Sequence, residues 1–213
     1  MSPTAETIRE ALQRMAPRTV PEWRDHRLAW SRQLRAHTAR QVLRIALGLV
    51  DDGSWARLTA YELLACHPGG IGVLTPTAIR RLGRGLADWG SVDTFACYIA
   101  GPAWREGQLP TRQLLTWLRS KDRWQRRTAV VCTVALNVRA RGGRGEVART
   151  LAICRHVVRD SDDMVVKALS WALRSAVEWD REAVSGFLRE HQDVLAGRVK
   201  REVASKLRTG RKN

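Results

Sequence analysis

Apolar residues recur at intervals of three and four along almost the whole chain, and this spacing constrains the fold more than any other feature. It places apolar side chains on one face of an α-helix, whereas a half-buried strand would alternate apolar and polar residues. No convincing alternating segment occurs. The pattern predicts an all-α protein with helices at approximately 4–15, 21–34, 37–50, 54–66, 75–87, 92–100, 111–119, 122–138, 145–159, 162–178, 180–190 and 197–208.

Residues that favour helix starts lie at the predicted boundaries. Four prolines lie at or near starts, where a missing N–H carries no cost: Pro3, Pro21, Pro76 and Pro110. Three side-chain acceptors are predicted N-caps: Thr75, Ser161 and Asp180. The glycine-rich segments at 67–76 and 139–146 are predicted loops.

Helices joined by short turns predict antiparallel pairs that stack into a curved α-solenoid with a basic concave face. The pairs do not align at a fixed period, which favours a HEAT-like array over a strict TPR or ankyrin array. We predict a single HEAT-like repeat domain over residues 1–208, followed by a frayed basic tail at 209–213.

The charge balance favours a polyanionic partner. The chain carries 37 Lys and Arg against 21 Asp and Glu, a formal net charge of +16. Nucleic acid is the leading candidate, and an anionic membrane surface or an acidic protein is the alternative. A solvated arginine-rich surface, of the kind that a GC-rich genome encodes, would have the same composition.

The cysteine pattern predicts buried thiols rather than a metal site. Cys66, Cys97, Cys132 and Cys154 are widely spaced and form no CxxC pair. The polar start of the chain does not resemble a signal peptide, and no apolar run reaches membrane-spanning length. These features predict a cytoplasmic protein that needs no metal or other cofactor and does not enter a membrane.

Three short segments combine tryptophan with charged residues. In the first, at 89–93, Trp89 and Asp93 lie four residues apart in a chain rich in cations. The common interpretation of Asp93 is an N-cap or an acid in the first turn of a helix. The alternative is an anionic catalytic group within a surface that binds anions.

The second segment, at 120–131, contains the densest basic cluster before the tail, and it pairs Trp124 with Arg127. Arginine binds phosphate in a bidentate manner, so phosphate binding is one interpretation and a solvated basic helix start is the other. In the third segment, at 160–176, Lys167, Trp171 and Arg174 share one helix face. That face could contact a sugar–phosphate backbone, but spacing alone favours a solvated face with one packed tryptophan.

Taken together, the three segments resemble the AlkD family of alkylpurine DNA glycosylases. The shared residues are W-x-S-V-D at 89–93, W-x-x-R at 124–127 and K-A-x-x-W-x-L-R at 167–174, in the same order and with similar separation. The resemblance covers about residues 86–205. It implies a HEAT-like array that wraps duplex DNA and excises N3- and N7-alkylated purines without placing the base in a pocket.

The resemblance also implies roles for individual residues. Asp93 matches the catalytic acid, and Trp89 and Trp171 match the tryptophans that contact the deoxyribose. Arg127 matches a phosphate-contacting arginine, and Arg174 matches a basic residue near the same cleft. Three further residues are weaker candidates for contacts with the DNA backbone: Trp124, Arg126 and Lys167.

The expected partner is double-stranded DNA with alkylated purines, bound by a monomer that is nucleoid-associated when on DNA. Trp23, Trp30 and Tyr61 are candidates for an aromatic residue that family members contribute from their N-terminal helices. Two alternatives remain at this point: a noncatalytic HEAT-like module that binds DNA, and a scaffold that binds an acidic protein.

Overall fold

The computed structural model describes residues 3–15 and 19–211, and within these ranges the chain forms helices and no strand. The all-α prediction is therefore confirmed. The described residues form two compact units, residues 1–86 and 87–213, each with its own core. Of the predicted basic tail, residues 212 and 213 lie outside the described residues. No helix in the described part of the chain combines the length and apolar character that a membrane crossing requires.

The first unit consists of five helices. They are α1 (Ala5–Arg14), α2 (Val20–Leu34), α3 (Ala39–Leu49), α4 (Ser54–Cys66) and α5 (Pro76–Leu82). Helix α4 packs against the first three helices, and α3 also contacts α1 and α5. Four of the helices begin after a threonine whose hydroxyl accepts a backbone N–H: Thr4, Thr19, Thr38 and Thr75.

The three aromatic candidates in the first unit are core residues. Trp23 and Tyr61 are buried, and so is Trp30. The Trp23 indole N–H donates to the Thr59 hydroxyl over 2.8 Å, and the Tyr61 hydroxyl donates to the Leu82 carbonyl over 2.6 Å. Their polar atoms are satisfied inside the unit, so these rings support packing in the first unit.

The described residues of the second unit form nine α-helices. They are α6 (Trp89–Phe95), α7 (Gly101–Arg105), α8 (Thr111–Leu118), α9 (Arg123–Cys132), α10 (Val134–Asn137), α11 (Val147–Cys154), α12 (Asp163–Ala176), α13 (Arg181–Glu190) and α14 (Gly197–Thr209). A π-helical turn at Ala96–Ala100 joins α6 to α7, and 3₁₀ turns follow α10 and α11.

Four helices of the second unit pack side by side in the order α6, α9, α12, α14. A second set packs on them, with α8 on α9, α11 on α12 and α13 on α14. This solenoid-like stacking agrees with the predicted array of helix pairs. The first three helices of the row share an aspartate N-cap whose side chain accepts a backbone N–H: Asp88, Asp122 and Asp162.

The N-caps correct two of the sequence predictions. Helix α12 is capped by Asp162, which accepts the Met164 N–H, rather than by Ser161. Helix α6 begins at Trp89 rather than near residue 92, because Asp88 accepts the Ser91 N–H over 2.9 Å. Asp93 therefore lies in the second turn of α6 and is neither an N-cap nor a first-turn acid.

Gly101, at the start of α7, allows close contact with the end of α9 and with α10. A Cβ at this position would lie 2.6 Å from the Cys132 carbonyl oxygen and 2.7 Å from the Ala135 Cβ. Both neighbours are backbone or short side chains, so they cannot move aside cheaply. Gly101 therefore helps to fix α6, through the π-helical turn, against α9.

We expect Gly101→Ala to destabilise the protein by about 1–3 kcal/mol because it overpacks this contact. Gly197→Ala is the matched control, because a Cβ there would meet nothing within 4 Å. The control is expected to leave stability unchanged or to raise it by about 0.4–1 kcal/mol. Urea unfolding of both variants measures the difference, and equal midpoints would show that the contact at Gly101 is not tight.

Three of the four cysteines are buried in the second unit, whereas Cys66 is exposed, which corrects the expectation of four buried thiols. Burial raises the pKa of the Cys97 and Cys154 thiols to about 12. Burial also raises the pKa of the Cys132 thiol well above its ordinary value. All three side chains are therefore protonated at neutral pH.

Candidate active site

Asp93 of α6 and Arg127 of α9 form a bidentate ion pair. Arg127 Nε donates to Asp93 Oδ1 over 2.8 Å, and Nη2 donates to Oδ2 over 2.7 Å. The Arg127 side chain is 7% exposed and the Asp93 side chain 16%. Two parallel charge-assisted hydrogen bonds of this kind fix the plane of the carboxylate as well as its position.

Arg127 also makes a third contact, which reaches α12. Its Nη1 donates to the backbone carbonyl of Met164 in the first turn of that helix. The guanidinium therefore connects α6, α9 and α12, and all three of its nitrogens donate to protein oxygens. The resemblance implies a phosphate contact for Arg127, and that role stays a prediction beside these three protein contacts.

The surroundings of the Asp93 carboxyl have opposing effects on its pKa. Burial raises its pKa above the ordinary aspartate value, and the hydrogen bonds and positive charge of Arg127 work against that rise. The nearby Asp88 carboxylate raises the pKa further by a smaller amount. A carboxylate with a raised pKa is a stronger proton acceptor than an ordinary aspartate.

Trp89, the first residue of α6, is 64% exposed, which is unusual for a tryptophan. It precedes Asp93 by four residues, so the two side chains lie one helical turn apart on the same face. An exposed aromatic face beside a carboxylate suits a ligand that is both flat and cationic.

Trp171, Lys167 and Arg174 line an open cleft of about 650 Å³ between α12 and α14. They share one face of α12, as the spacing predicts. Of the described residues that line the cleft, none belongs to α6 or α9. The structure thus groups the predicted residues into a pair, Asp93 with Arg127, and a triplet on α12.

Residues in the cleft are held by internal contacts of different strength. The Arg174 Nε donates to the Ser170 hydroxyl over 3.3 Å, and its Nη2 lies 3.6 Å from Glu202 Oε2. The Lys167 Nζ lies 2.6 Å from Asp163 Oδ2 and remains 40% exposed. That ion pair lowers the pKa of the Asp163 carboxyl.

The two weaker candidates on α9 make contacts within the protein. Arg126 Nε lies 2.6 Å from Asp160 Oδ2, and Arg126 also donates to the carbonyls of Ser120 and Lys121. The half-buried Trp124 has the Arg123 guanidinium 5.9 Å from its ring centroid. Arg126 thus stabilises the turn before α9, and its role in DNA contact stays a prediction.

Sequence reasoning missed the residues that complete the cleft, namely Arg139, Arg198, Glu202 and Lys206. The last three follow one another at intervals of four along α14, so they share a face. That spacing is visible in the sequence, but the sequence analysis predicts only a helix at 197–208 and not one wall of a cleft.

Among the described residues, no group of three or more His, Cys, Asp or Glu side chains is arranged to hold a metal ion. Comparison with known families gives a match to a family model described as DNA alkylation repair enzyme, over residues 19–207. The match includes α2 to α5, which the three motifs did not reach. No curated protein matches the chain.

Proposed function

The chain belongs to the family of DNA alkylation repair enzymes, and from this membership we propose that it is a DNA N-glycosylase that excises N3- and N7-alkylated purines from duplex DNA. The observation that carries the proposal is the Asp93 carboxylate. Arg127 holds it at both oxygens, and the exposed Trp89 lies one helical turn away.

The chemistry of the substrate accounts for a site built from a carboxylate and an indole. An alkylated N3 or N7 purine carries positive charge and is already a good leaving group. Cleavage of its glycosidic bond builds oxocarbenium character on the deoxyribose. A carboxylate beside the sugar stabilises that charge and orients or deprotonates the attacking water, and a tryptophan face favours the same cation.

Arg127 acts in this scheme as a positioning residue. The bidentate pair uses two of the roughly four lone-pair sites that a carboxylate offers. The remaining sites can accept a hydrogen bond from water. Because the guanidinium fixes the carboxylate plane, those sites keep one direction through the reaction.

Duplex DNA is the proposed partner, bound by a cytoplasmic monomer. The net charge of +16 supports binding to phosphates, and the cleft beside Trp171 adds a cationic surface with a flat ring. We propose that Trp171 and Arg174 contact the sugar and backbone near the lesion, as their match to the family motif implies.

A specific observation favours a second candidate, a noncatalytic module that binds DNA. Both oxygens of Asp93 accept from Arg127, which also binds the Met164 carbonyl, and this is how a structural ion pair between helices is arranged. Such a module would bind duplex DNA with an affinity that falls steeply with salt. A scaffold for an acidic protein would bind DNA only weakly at physiological salt.

The proposed activity is tested by incubating the protein with methylated duplex DNA and with the same duplex unmodified. Chromatography of the released bases measures 7-methylguanine and 3-methyladenine, with an enzyme-free sample to subtract spontaneous loss. We expect both bases from the methylated duplex and none from the control duplex. Duplex binding without base release would favour the noncatalytic module.

The rate of base release is expected to fall as pH falls through the raised pKa of Asp93, because the protonated carboxyl carries no charge to stabilise the sugar cation. The decline should begin above the pH range of an ordinary aspartate, whose pKa is about 3.9. Arg127→Gln should move the decline to still higher pH, because the arginine opposes the rise in pKa.

The control for this pH profile is Arg155→Gln, which removes an arginine from an exposed pair with Glu190. It should leave the profile unchanged. A profile that is identical in wild type and Arg127→Gln would show that Asp93 is not the titrating group.

A further inference from the structure

The cleft between α12 and α14 has features that the proposed catalytic pair does not use. Arg198, Glu202 and Lys206 of α14 line it together with Lys167, Trp171 and Arg174 of α12. Its volume of about 650 Å³ falls within the ~300–1,000 Å³ range of ligand-binding clefts. No acidic or polar residue of α6 or α9 is among the described residues that line it.

The charges of the cleft favour an anion. Its described lining contains five cationic side chains and two carboxylates, Glu178 and Glu202. Lys206 Nζ is neutralised by Glu178 Oε1 at 2.8 Å. Glu202 Oε2 has two partners. It accepts a hydrogen bond from the Ser170 hydroxyl over 2.6 Å and lies 3.6 Å from Arg174 Nη2. The carboxylates therefore offset only part of the positive charge.

Of the two α14 cations that line the cleft, Arg198 is held less tightly than Lys206. Its Nε lies 3.9 Å from Glu202 Oε1 and its Nη1 lies 4.0 Å from Asp163 Oδ1, both beyond hydrogen-bond distance. The side chain is 39% exposed at the cleft. A guanidinium in this condition can bind a phosphate oxygen without first breaking a strong internal pair.

The side-chain oxygen of Asn137 is a hydrogen-bond acceptor that receives no hydrogen bond from the described residues. Its Nδ2 donates to the Thr133 carbonyl and, over 2.7 Å, to the Thr150 hydroxyl, which in turn donates to the Glu146 carbonyl. These bonds fix the orientation of the amide. Asn137 lines the cleft, yet its buried Oδ1 finds no hydrogen-bond partner among the described residues. A ligand with an N–H donor would satisfy it.

We propose that this cleft binds a nucleotide through its phosphate, with Arg198 as the phosphate contact, Trp171 as the flat surface beside the sugar and Glu202 as the internal counterion that a bound phosphate displaces. A nucleotide combines the required groups, namely an anion, a flat ring and amino donors. The proposal rests on the proposed function in taking the nucleotide to be part of a DNA strand, and it assigns α14 to substrate binding.

The test compares three variants in duplex binding across a range of salt concentrations. Arg198→Ala should weaken binding about tenfold and reduce the slope of log affinity against log salt by about 0.9, the value for one lost phosphate contact. Glu202→Gln should tighten binding several-fold, because it removes the competing carboxylate. Arg201→Ala, an exposed arginine of α14 outside the cleft, should match wild type. Thermal unfolding confirms that each variant is folded.

A second measurement identifies the source of the phosphate. Calorimetric titration with deoxyadenosine monophosphate tests a free nucleotide on wild type and on Arg198→Ala. Binding that depends on Arg198 in either experiment supports the cleft, and a changed salt slope assigns it to the DNA backbone. The proposal is overturned if Arg198→Ala and Glu202→Gln behave like Arg201→Ala with both ligands.

Base release is measured separately on the same proteins, so the two proposals fail independently. A wild-type protein that releases no base, but whose duplex affinity depends on Arg198, would refute the glycosylase and retain the cleft. Base release would refute the cleft alone if Arg198→Ala and Glu202→Gln also bind both ligands as Arg201→Ala does.

Discussion

Asp93→Asn is expected to lower the rate of base release by at least about 100-fold while changing duplex affinity far less. Removal of one group that stabilises charge in a transition state typically costs about 10²–10³ in rate. Asparagine has nearly the same shape and can still accept one bond from Arg127, so the substitution removes charge with little change in packing. The loss should therefore appear in single-turnover base release rather than in DNA binding.

The control for this variant is Asp193→Asn, which removes the charge of an exposed aspartate in the same unit. Asp93→Asn leaves the buried Arg127 without its counterion, so thermal unfolding must be measured and activity expressed per folded molecule. Release rates that are equal in Asp93→Asn and wild type would exclude Asp93 from the mechanism and favour the noncatalytic module.

Arg127→Met is expected to lower the free energy of unfolding by about 3–5 kcal/mol, the usual cost of removing one partner from a buried ion pair. It leaves the Asp93 carboxylate without its two donors. It also removes the hydrogen bond that Arg127 of α9 donates to the Met164 carbonyl of α12. The rate of base release should also fall, because Arg127 no longer fixes the plane of the Asp93 carboxylate. Urea unfolding and single-turnover release measure the two effects.

The pH dependence of this loss has a definite sign. Removal of Arg127 takes away the influence that opposes the raised pKa of Asp93. The folded variant then binds a proton more tightly than the unfolded chain does, so its stability deficit should shrink as pH falls through that raised pKa. A deficit that stays constant with pH would mean that the carboxylate is not the unpaired group.

Two further variants separate the ion pair from general effects of arginine. Asp93→Asn combined with Arg127→Met removes both charges and should recover part of the stability without recovering activity. Arg155→Met breaks an exposed pair and should cost no more than about 1 kcal/mol.

Local patterns in the sequence are sufficient to predict the position of most of the helices. The spacing of apolar residues placed eight of the helices within two residues of both observed ends, namely α1–α4, α8 and α12–α14. Thr75 and Asp180 act as the predicted N-caps. The start of α6 was placed three residues late because the capping side chain of Asp88 stands before a tryptophan and a glycine, which carry little helical signal. The π-helical turn at Ala96–Ala100 likewise has no sequence marker.

The identities of the site residues were predictable from short motifs, but their contacts were not. Asp93 and Arg127 are 34 residues apart, and their pairing depends on the register in which α6 stacks on α9. No local pattern encodes that register, so the sequence does not predict the ion pair between Arg127 and Asp93. The four-residue spacing of Arg198, Glu202 and Lys206 along α14 is visible in the sequence. The sequence does not show which helix this face lies opposite, so the spacing alone does not predict a cleft.

The burial of three thiols in the second unit has a consequence for a member of a family of DNA alkylation repair enzymes. Methylating electrophiles react with thiolates far faster than with protonated thiols. Cys97, Cys132 and Cys154 are closed off from solvent and keep their protons, so they offer no nucleophile to the reagents that damage the bases. The thiols of the second unit are thus shielded from such reagents, whereas Cys66 of the first unit is exposed.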